Sequence, residues 1–199
     1  MHDKKGLLIL VSAPSGGGKN AIIRALLERF SSSTQLVTTT TREKRPGEEE
    51  GKDYYYISKE AFEEKKEAGG FVEYNMYAGN YYGTAWDHLE AALSAYAIVF
   101  SQAEVNGKKS LDAKGIPHVS IFLLPEHIDI LRARIVARGG TSPASLEERI
   151  ETAQKEIAEA SIYDLPILNK DGYMQETVEA IVAFLCKEHG LQRYLDNES

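Results

Sequence analysis

A single cysteine, Cys186, stands in the 199-residue chain, so neither an intrachain disulfide framework nor a thiolate metal cluster is available. Its setting, ETVEAIVAFLCKEHG, has a helical pattern, which reads as a packed thiol rather than a reactive one. Positive charge is also short. There are 23 lysines and arginines against 30 acidic residues, a net charge of −7. That balance argues against a general nucleic-acid binder held by phosphate contacts, so any anion site must be a local basic pocket. Long apolar runs are missing as well. The stretch MHDKKGLLILVSAP has too short a run for a signal peptide or a span, and no later segment approaches spanning length. With no internal repeat and no low-complexity tract, the chain reads as one cytoplasmic globular domain, with room for mobile inserts.

What is present is an alternation of strands and helices. LLILVS at 7–12 is a continuous apolar run, expected of a strand buried on both faces of a parallel sheet. Glycines follow, and then NAIIRALLERF with Ile22, Leu26, Leu27 and Phe30 at helical spacing. QLVTTT, YYYI, FVEYNMY, AIVFSQ, HVSIFLL and LPILN read as further strands. KEAFEEKKEA reads as a helix capped by Ser58 and closed by Gly69 and Gly70. GNYYGT reads as a turn-rich segment before the helix AWDHLEAALSA. PEHIDILRARIVAR is expected to start its helix at Pro125, ASLEERIETAQKEIAEA to form another, and the stretch from Gln175 to His189 a closing one. The expected fold class is therefore α/β with a mainly parallel sheet flanked by helices. The tyrosine-rich region from about 38 to 84 has a different texture and reads as an insert. The GGTSP break at 139–143 reads as a hinge.

SAPSGGGKN lies between the first strand and the first helix, the context a phosphate-binding loop needs. Gly18 and Lys19 match the end of the pattern G-x-x-x-x-G-K-[ST], and Gly16 and Gly17 support a tight backbone. Ala13 replaces the first glycine, which is harmless if its φ is negative. Backbone N–H groups and the helix N-terminus then still face an anion, and Lys19 still reaches terminal phosphates. Asn20 replaces the hydroxyl residue that ordinarily ligates Mg²⁺; its carboxamide oxygen is a longer, neutral substitute.

Arg134 and Arg138 lie four apart on one expected helix, where like charges repel by about 0.2–0.5 kcal/mol. Neither has a carboxylate three or four positions away, nor does Arg149 on the next helix, whereas Arg132 has Asp129. Arg149 sits at the edge of the apolar stripe Leu146, Ile150, Ala153 and Ile157, so it should lean toward the protein. Three such arginines around a Gly-Gly break point to a polyphosphate as the missing counter-charge. Closing them over it would add cations and expel water.

A second basic pocket lies in TTTTREKRPGEEEGKDYYY, where Arg42 and Arg45 precede Tyr54. Arginine suits phosphate oxygens, and tyrosine hydroxyls add hydrogen bonds. Glu73 follows in an expected strand, and a carboxylate there can accept from a base with adjacent N–H and amino donors, as guanine has. Tyr82 and Thr84 add hydroxyls.

These residues together resemble the guanylate kinase family. VSAPSGGGK, TTREKRPGEEEGKDYYYI, FVEYNMYAGNYYGT, IFLLP, LRARIVARGG, EERIETAQKEI and YDLPILN follow the family's order and spacing over roughly residues 5 to 187. The resemblance implies a P-loop nucleoside-monophosphate-kinase fold in a single domain. Its core would span 5–37, 86–125 and 161–190, its β-rich GMP-binding insert 38–85, and its helical lid 126–160. It implies transfer of the γ-phosphoryl group of ATP to GMP or dGMP with Mg²⁺, in purine nucleotide metabolism. By motif position, Ala13, Pro14, Ser15, Gly16, Gly17, Gly18, Lys19 and Asn20 would bind ATP. Arg42, Arg45, Tyr54 and Tyr82 would hold the GMP phosphate, while Thr38, Glu73 and Thr84 would read the guanine. Lys19, Arg42, Arg134, Arg138 and Arg149 would be catalytic.

The chain departs from the family where an Asp-x-Asp usually stands. Gln102 takes the first place, and could meet the metal only through water. Glu104 takes the second and keeps a charge for the guanine amino group on a longer arm. Lys44 replaces a usual proline. The implied partners are ATP and GMP or dGMP, with neither nucleic acid nor membrane, in a monomer or homodimer. The alternative is a catalytically weak guanylate-kinase-like binding module that uses the GMP cleft for a protein or nucleotide. Lys19 and Thr38, the latter not the proline such modules often carry, speak against it. Another nucleoside or small-molecule kinase on the same core is the third reading, against which Glu73 with Thr84 argues for guanine.

Overall fold

The structure, a computed structural model, describes residues 6–77, 79–137 and 143–196. The chain begins with β1 (Leu7–Ser12), α1 (Lys19–Arg29), β2 (Ser33–Gln35), β3 (Thr39–Thr40), β4 (Tyr55–Tyr56) and α2 (Lys59–Glu67). It continues through β5 (Phe71–Tyr77), β6 (Asn80–Ala85), α3 (Trp86–Ala95), β7 (Ile98–Gln102), α4 (Val105–Ala113) and β8 (Val119–Leu124). It ends with α5 (Ile128–Ala137), α6 (Pro143–Ala158), β9 (Leu165–Leu168) and α7 (Met174–His189).

β1 is apolar from Leu7 to Val11 because it is the middle strand of a parallel sheet ordered β2-β7-β1-β8-β9. Successive side chains point to opposite faces. Ile9 and Val11 join Ile22, Ile23, Leu26, Ile181 and Leu185 under α1 and α7. Leu8 and Leu10 join Val72, Leu89 and Leu111 on the other face. Cys186 is buried within the first of these clusters, as a packed thiol should be.

A second sheet, ordered β4-β3-β6-β5, is mostly antiparallel. It closes its own small core of Phe62, Phe71 and Ala85, where Phe62 stacks on Phe71 with ring centroids 4.2 Å apart. Ser58 caps α2 by accepting from the Ala61 N–H at 3.1 Å. Lys114, just past α4, pins this sheet to the main body by donating to the carbonyls of Phe71 and Val72.

Four local expectations change. QLVTTT is not one strand; β2 ends at Gln35 in the main sheet and β3 begins at Thr39 in the second. Leu36, buried beneath the main sheet, marks where the chain leaves it. GNYYGT belongs mostly to β6, because pairing with both β3 and β5 overrides its turn-like composition. α4 was not expected, since VNGKKSLDA carries a glycine and few apolar residues. Burial of Val105 and Leu111 fixes it. α5 starts at Ile128 rather than at Pro125.

Candidate active site

After β1 the chain turns through 13–18 before α1 opens at Lys19. Gly16 and Gly18 hold φ of 85° and 90°, values that favour glycine. A Cβ on Gly17 would stand 2.6 Å from that of Ala13. Ser32 is the sole non-glycine residue with positive φ among the described residues. Ala13 therefore meets the condition under which it can replace glycine. The Lys19 ammonium folds back onto the Ala13 carbonyl at 2.5 Å, while Asn20 is exposed on the next position of the helix.

The loop is braced from far along the chain. Buried Asn169, just after β9, donates from Nδ2 to the Gly17 carbonyl at 3.0 Å. Arg134 on α5 donates from Nη1 to the Gly16 carbonyl at 3.0 Å and from Nη2 to Asp171 Oδ1 at 2.6 Å. The expectation that Arg134 has no counter-charge in the chain is thus overturned, because Asp171 comes from a loop distant in sequence. Arg149 is half-buried on α6 beside buried Ile150. Arg138 and residues 139–142 of the hinge lie outside the described residues. Arg132 pairs with Glu147 across α5 and α6, at 2.5 and 3.0 Å.

The second pocket is organised by a carboxylate to which the sequence patterns give no role. Glu48 accepts from Arg42 Nη2 at 2.7 Å, from the Tyr56 hydroxyl at 2.8 Å and from the Arg45 backbone N–H at 2.9 Å. The Arg42 hydrogen bond, with help from the Arg45 N–H, lowers the Glu48 carboxyl to about 2. Arg42 is raised further above its usual range, first by Glu48. Its guanidinium lies 5.4 Å from the Tyr54 ring centroid, and the nearby Tyr82 hydroxyl favours its charge. Tyr54 packs edge-on against Tyr82 with centroids 5.9 Å apart. The Arg45 side chain is exposed, so only its backbone joins this cluster. Thr38 is half-buried and its carbonyl accepts from the Tyr55 N–H at 2.9 Å.

Register brings the third group together. Glu73 pairs with Thr84 and Asn75 with Tyr82, which puts all four side chains on one face of β5 and β6. The Thr84 hydroxyl donates to Glu73 Oε1 at 2.7 Å. Burial pushes the Glu73 carboxyl up, against the pull of that hydrogen bond. Gly107 lets α4 pass close by, because a Cβ there would stand 2.7 Å from that of Ala103 while only touching Glu73 Oε2 at 3.5 Å. Glu104, at the head of α4, accepts from Asn75 Nδ2 at 2.7 Å. Glu156 of α6 is also drawn in. Burial, reinforced by the charge of Glu104 and opposed by Lys19, pushes its carboxyl up to about 7. Asn75, Glu156, Asn169 and Asp171 escape sequence reasoning because each acts through a partner distant in the chain. Glu48 escapes it because the irregular loop that folds it onto Arg42, Arg45 and Tyr56 has no period to read.

No group of three or more His, Cys, Asp or Glu could hold a metal ion among the described residues. Asn20 and Gln102, the latter at the end of β7, offer neutral amide oxygens only. A Mg²⁺ ion that takes its other ligands from phosphate and water fits such a donor set.

A glycine-rich loop and lysine between β1 and α1 of a parallel sheet, in a chain whose smaller sheet region carries a second basic pocket, define a P-loop kinase. The guanylate kinase family pattern matches residues 5–188. The guanylate kinase of Clostridium perfringens strain ATCC 13124 is 36% identical over 186 residues, covering 94% of this chain and 85% of its own length. That of Listeria innocua serovar 6a is 38% identical over 188 residues, covering 94% and 90%. The crystal structure of guanylate kinase from Anaplasma phagocytophilum superposes with a TM-score of 0.72 at 27% identity, covering 96% of this chain and 90% of that one. The chain belongs to the guanylate kinase family.

Proposed function

We propose that this chain transfers the γ-phosphoryl group of ATP to GMP or dGMP, giving ADP and GDP or dGDP, in purine nucleotide metabolism. The observation that carries the reading is the shared face of β5 and β6. There the Glu73–Thr84 pair lies two residues along the strand from Tyr82, which belongs to the Arg42 cluster. A base acceptor and a phosphate cradle are thus spaced along one surface, as a nucleoside monophosphate requires.

Phosphoryl transfer needs in-line placement and cationic compensation rather than covalent help from the protein. Residues 13–20 cradle the ATP phosphates through backbone N–H groups, and Lys19 exchanges the Ala13 carbonyl for a phosphate oxygen. Arg42, held by Glu48 through Nη2, offers its remaining N–H groups to the GMP phosphate, joined by Arg45, Tyr54 and Tyr82. Ionised Glu73 accepts from the guanine N1–H and amino group, with Thr38, Thr84 and Glu104 around the base. Arg134, Arg138 and Arg149 neutralise charge on the group in transit, carried by a lid over 126–160 that closes onto the core and the 38–85 insert. Asn20, and Gln102 through water, would hold Mg²⁺ with the ATP phosphates, where the ion supplies charge neutralisation. The acceptor is already an anionic phosphate oxygen, so no general base is required.

The test is ADP production from ATP with GMP, dGMP, AMP, UMP or CMP across Mg²⁺ and Mn²⁺ concentrations. Turnover confined to GMP and dGMP is expected. Tight GMP binding with no ADP at any metal concentration would instead mean a binding module.

A further inference from the structure

We infer that Asn75 is a positioning residue for guanine recognition, acting by holding Glu104 at the base site. The inference rests on the GMP reading above and deepens it. Glu104 stands immediately before α4, where a side chain often caps its own helix, yet it makes no cap hydrogen bond. Its carboxylate instead crosses from the main body to the second sheet and accepts from Asn75 Nδ2 at 2.7 Å.

The Asn75 amide is itself held at both ends. Its Oδ1 accepts from the Met76 backbone N–H at 2.8 Å, which leaves Nδ2 as the end presented to Glu104. A flipped amide would set oxygen against carboxylate and nitrogen against N–H, so the network fixes the orientation. An exposed glutamate has three side-chain torsions to restrain, and a fixed donor removes much of that freedom before a ligand arrives.

The direction of restraint matters. Asn75 shares the face of Glu73 and Thr84, and the Glu104 charge is near enough to Glu73 to oppose its ionisation. Two carboxylates therefore flank the place where a base meets Glu73. Guanine brings three N–H donors on adjacent atoms, one at N1 and two on the 2-amino group. Glu73 can take two of them, and Glu104 is placed for the third. Asn75 thereby sharpens discrimination against a base that lacks the 2-amino group, hypoxanthine being the direct comparison.

Equilibrium binding of GMP and IMP to the full chain and to Asn75→Ala, Glu104→Gln and the double variant tests this apart from turnover. Asn75→Ala should weaken GMP by about tenfold and leave IMP within about twofold, so that the GMP preference collapses. The double variant should bind GMP no more weakly than Glu104→Gln alone, since Asn75 acts through Glu104. Equal weakening toward GMP and IMP, additive losses in the double variant, or a wild type that binds both equally would each overturn the inference. A wild type that prefers GMP but forms no ADP would refute the phosphoryl-transfer reading and leave this one standing.

Discussion

The Arg42 guanidinium and the Glu48 carboxylate meet at 2.7 Å with 13% and 19% of their side chains exposed. Glu48 also takes the Tyr56 hydroxyl and the Arg45 N–H, so one carboxylate gathers the donors a phosphate would use. Its lowered value near 2 keeps it ionised throughout the neutral range. Because the folded value lies below the ordinary one, its contribution to stability is present above about pH 4.5 and is lost as pH falls toward 2. Glu48→Gln should raise the KM for GMP by about tenfold, given the strength of charge-assisted bonds, and leave the KM for ATP unchanged. Steady-state kinetics with each substrate varied is the measurement. A matched rise for ATP would show Glu48 to be a general scaffold instead.

Lys19→Ala should reduce ADP formation to below about 1% of wild type, because the ammonium compensates charge during transfer. GMP binding should stay within about twofold, since Glu73 and Thr84 lie on the other sheet and Arg42 in the loop after β3. Calorimetric titration of GMP alongside a coupled ADP assay separates the two. Parallel loss of both would contradict the assigned role.

Burial raises Glu73 above the usual carboxylate range, so it takes up a proton at a higher pH than an exposed glutamate. Protonation removes an acceptor from the base site, and GMP affinity should fall on the acid side while ATP affinity holds. For stability the sign is opposite to that of Glu48. The folded chain retains a proton that the unfolded chain has released, so this group favours the fold at acid pH and loses that contribution as pH rises through its folded value. Glu73→Gln should weaken GMP at neutral pH and flatten the acid limb. A limb unchanged in that variant would assign it to another group.

Asn169→Ala leaves the Gly17 carbonyl without its buried donor and should cost about 1–3 kcal/mol of stability, read as a lower Tm. The KM for ATP should rise and that for GMP should not, because the brace touches the loop after β1 alone. An unchanged ATP KM would make Asn169 a folding residue only.

The alternation of LLILVS, the glycine loop and an amphipathic helix is local physics, and the sequence by itself determined the α/β core and the loop that opens α1. The stripe that buries Ile150 and leaves Arg149 half-buried is equally local. What only the tertiary structure decided is which groups meet. Asp171 lies 37 residues from Arg134 and Asn169 lies 152 from Gly17, distances at which no periodicity carries information. β6 is a strand because two neighbours pair with it, against a composition that favours turns. Glu48 and Asn75 sit in stretches that read as polar surface; a loop without a period folds Glu48 onto Arg42, six residues away, and Glu104, 29 residues away, gives Asn75 its place. A helix and the apolar alternation of a strand are written in residues a few positions apart, whereas strand pairing and the place of a buried or bridging polar group are decided by whichever distant partner satisfies them.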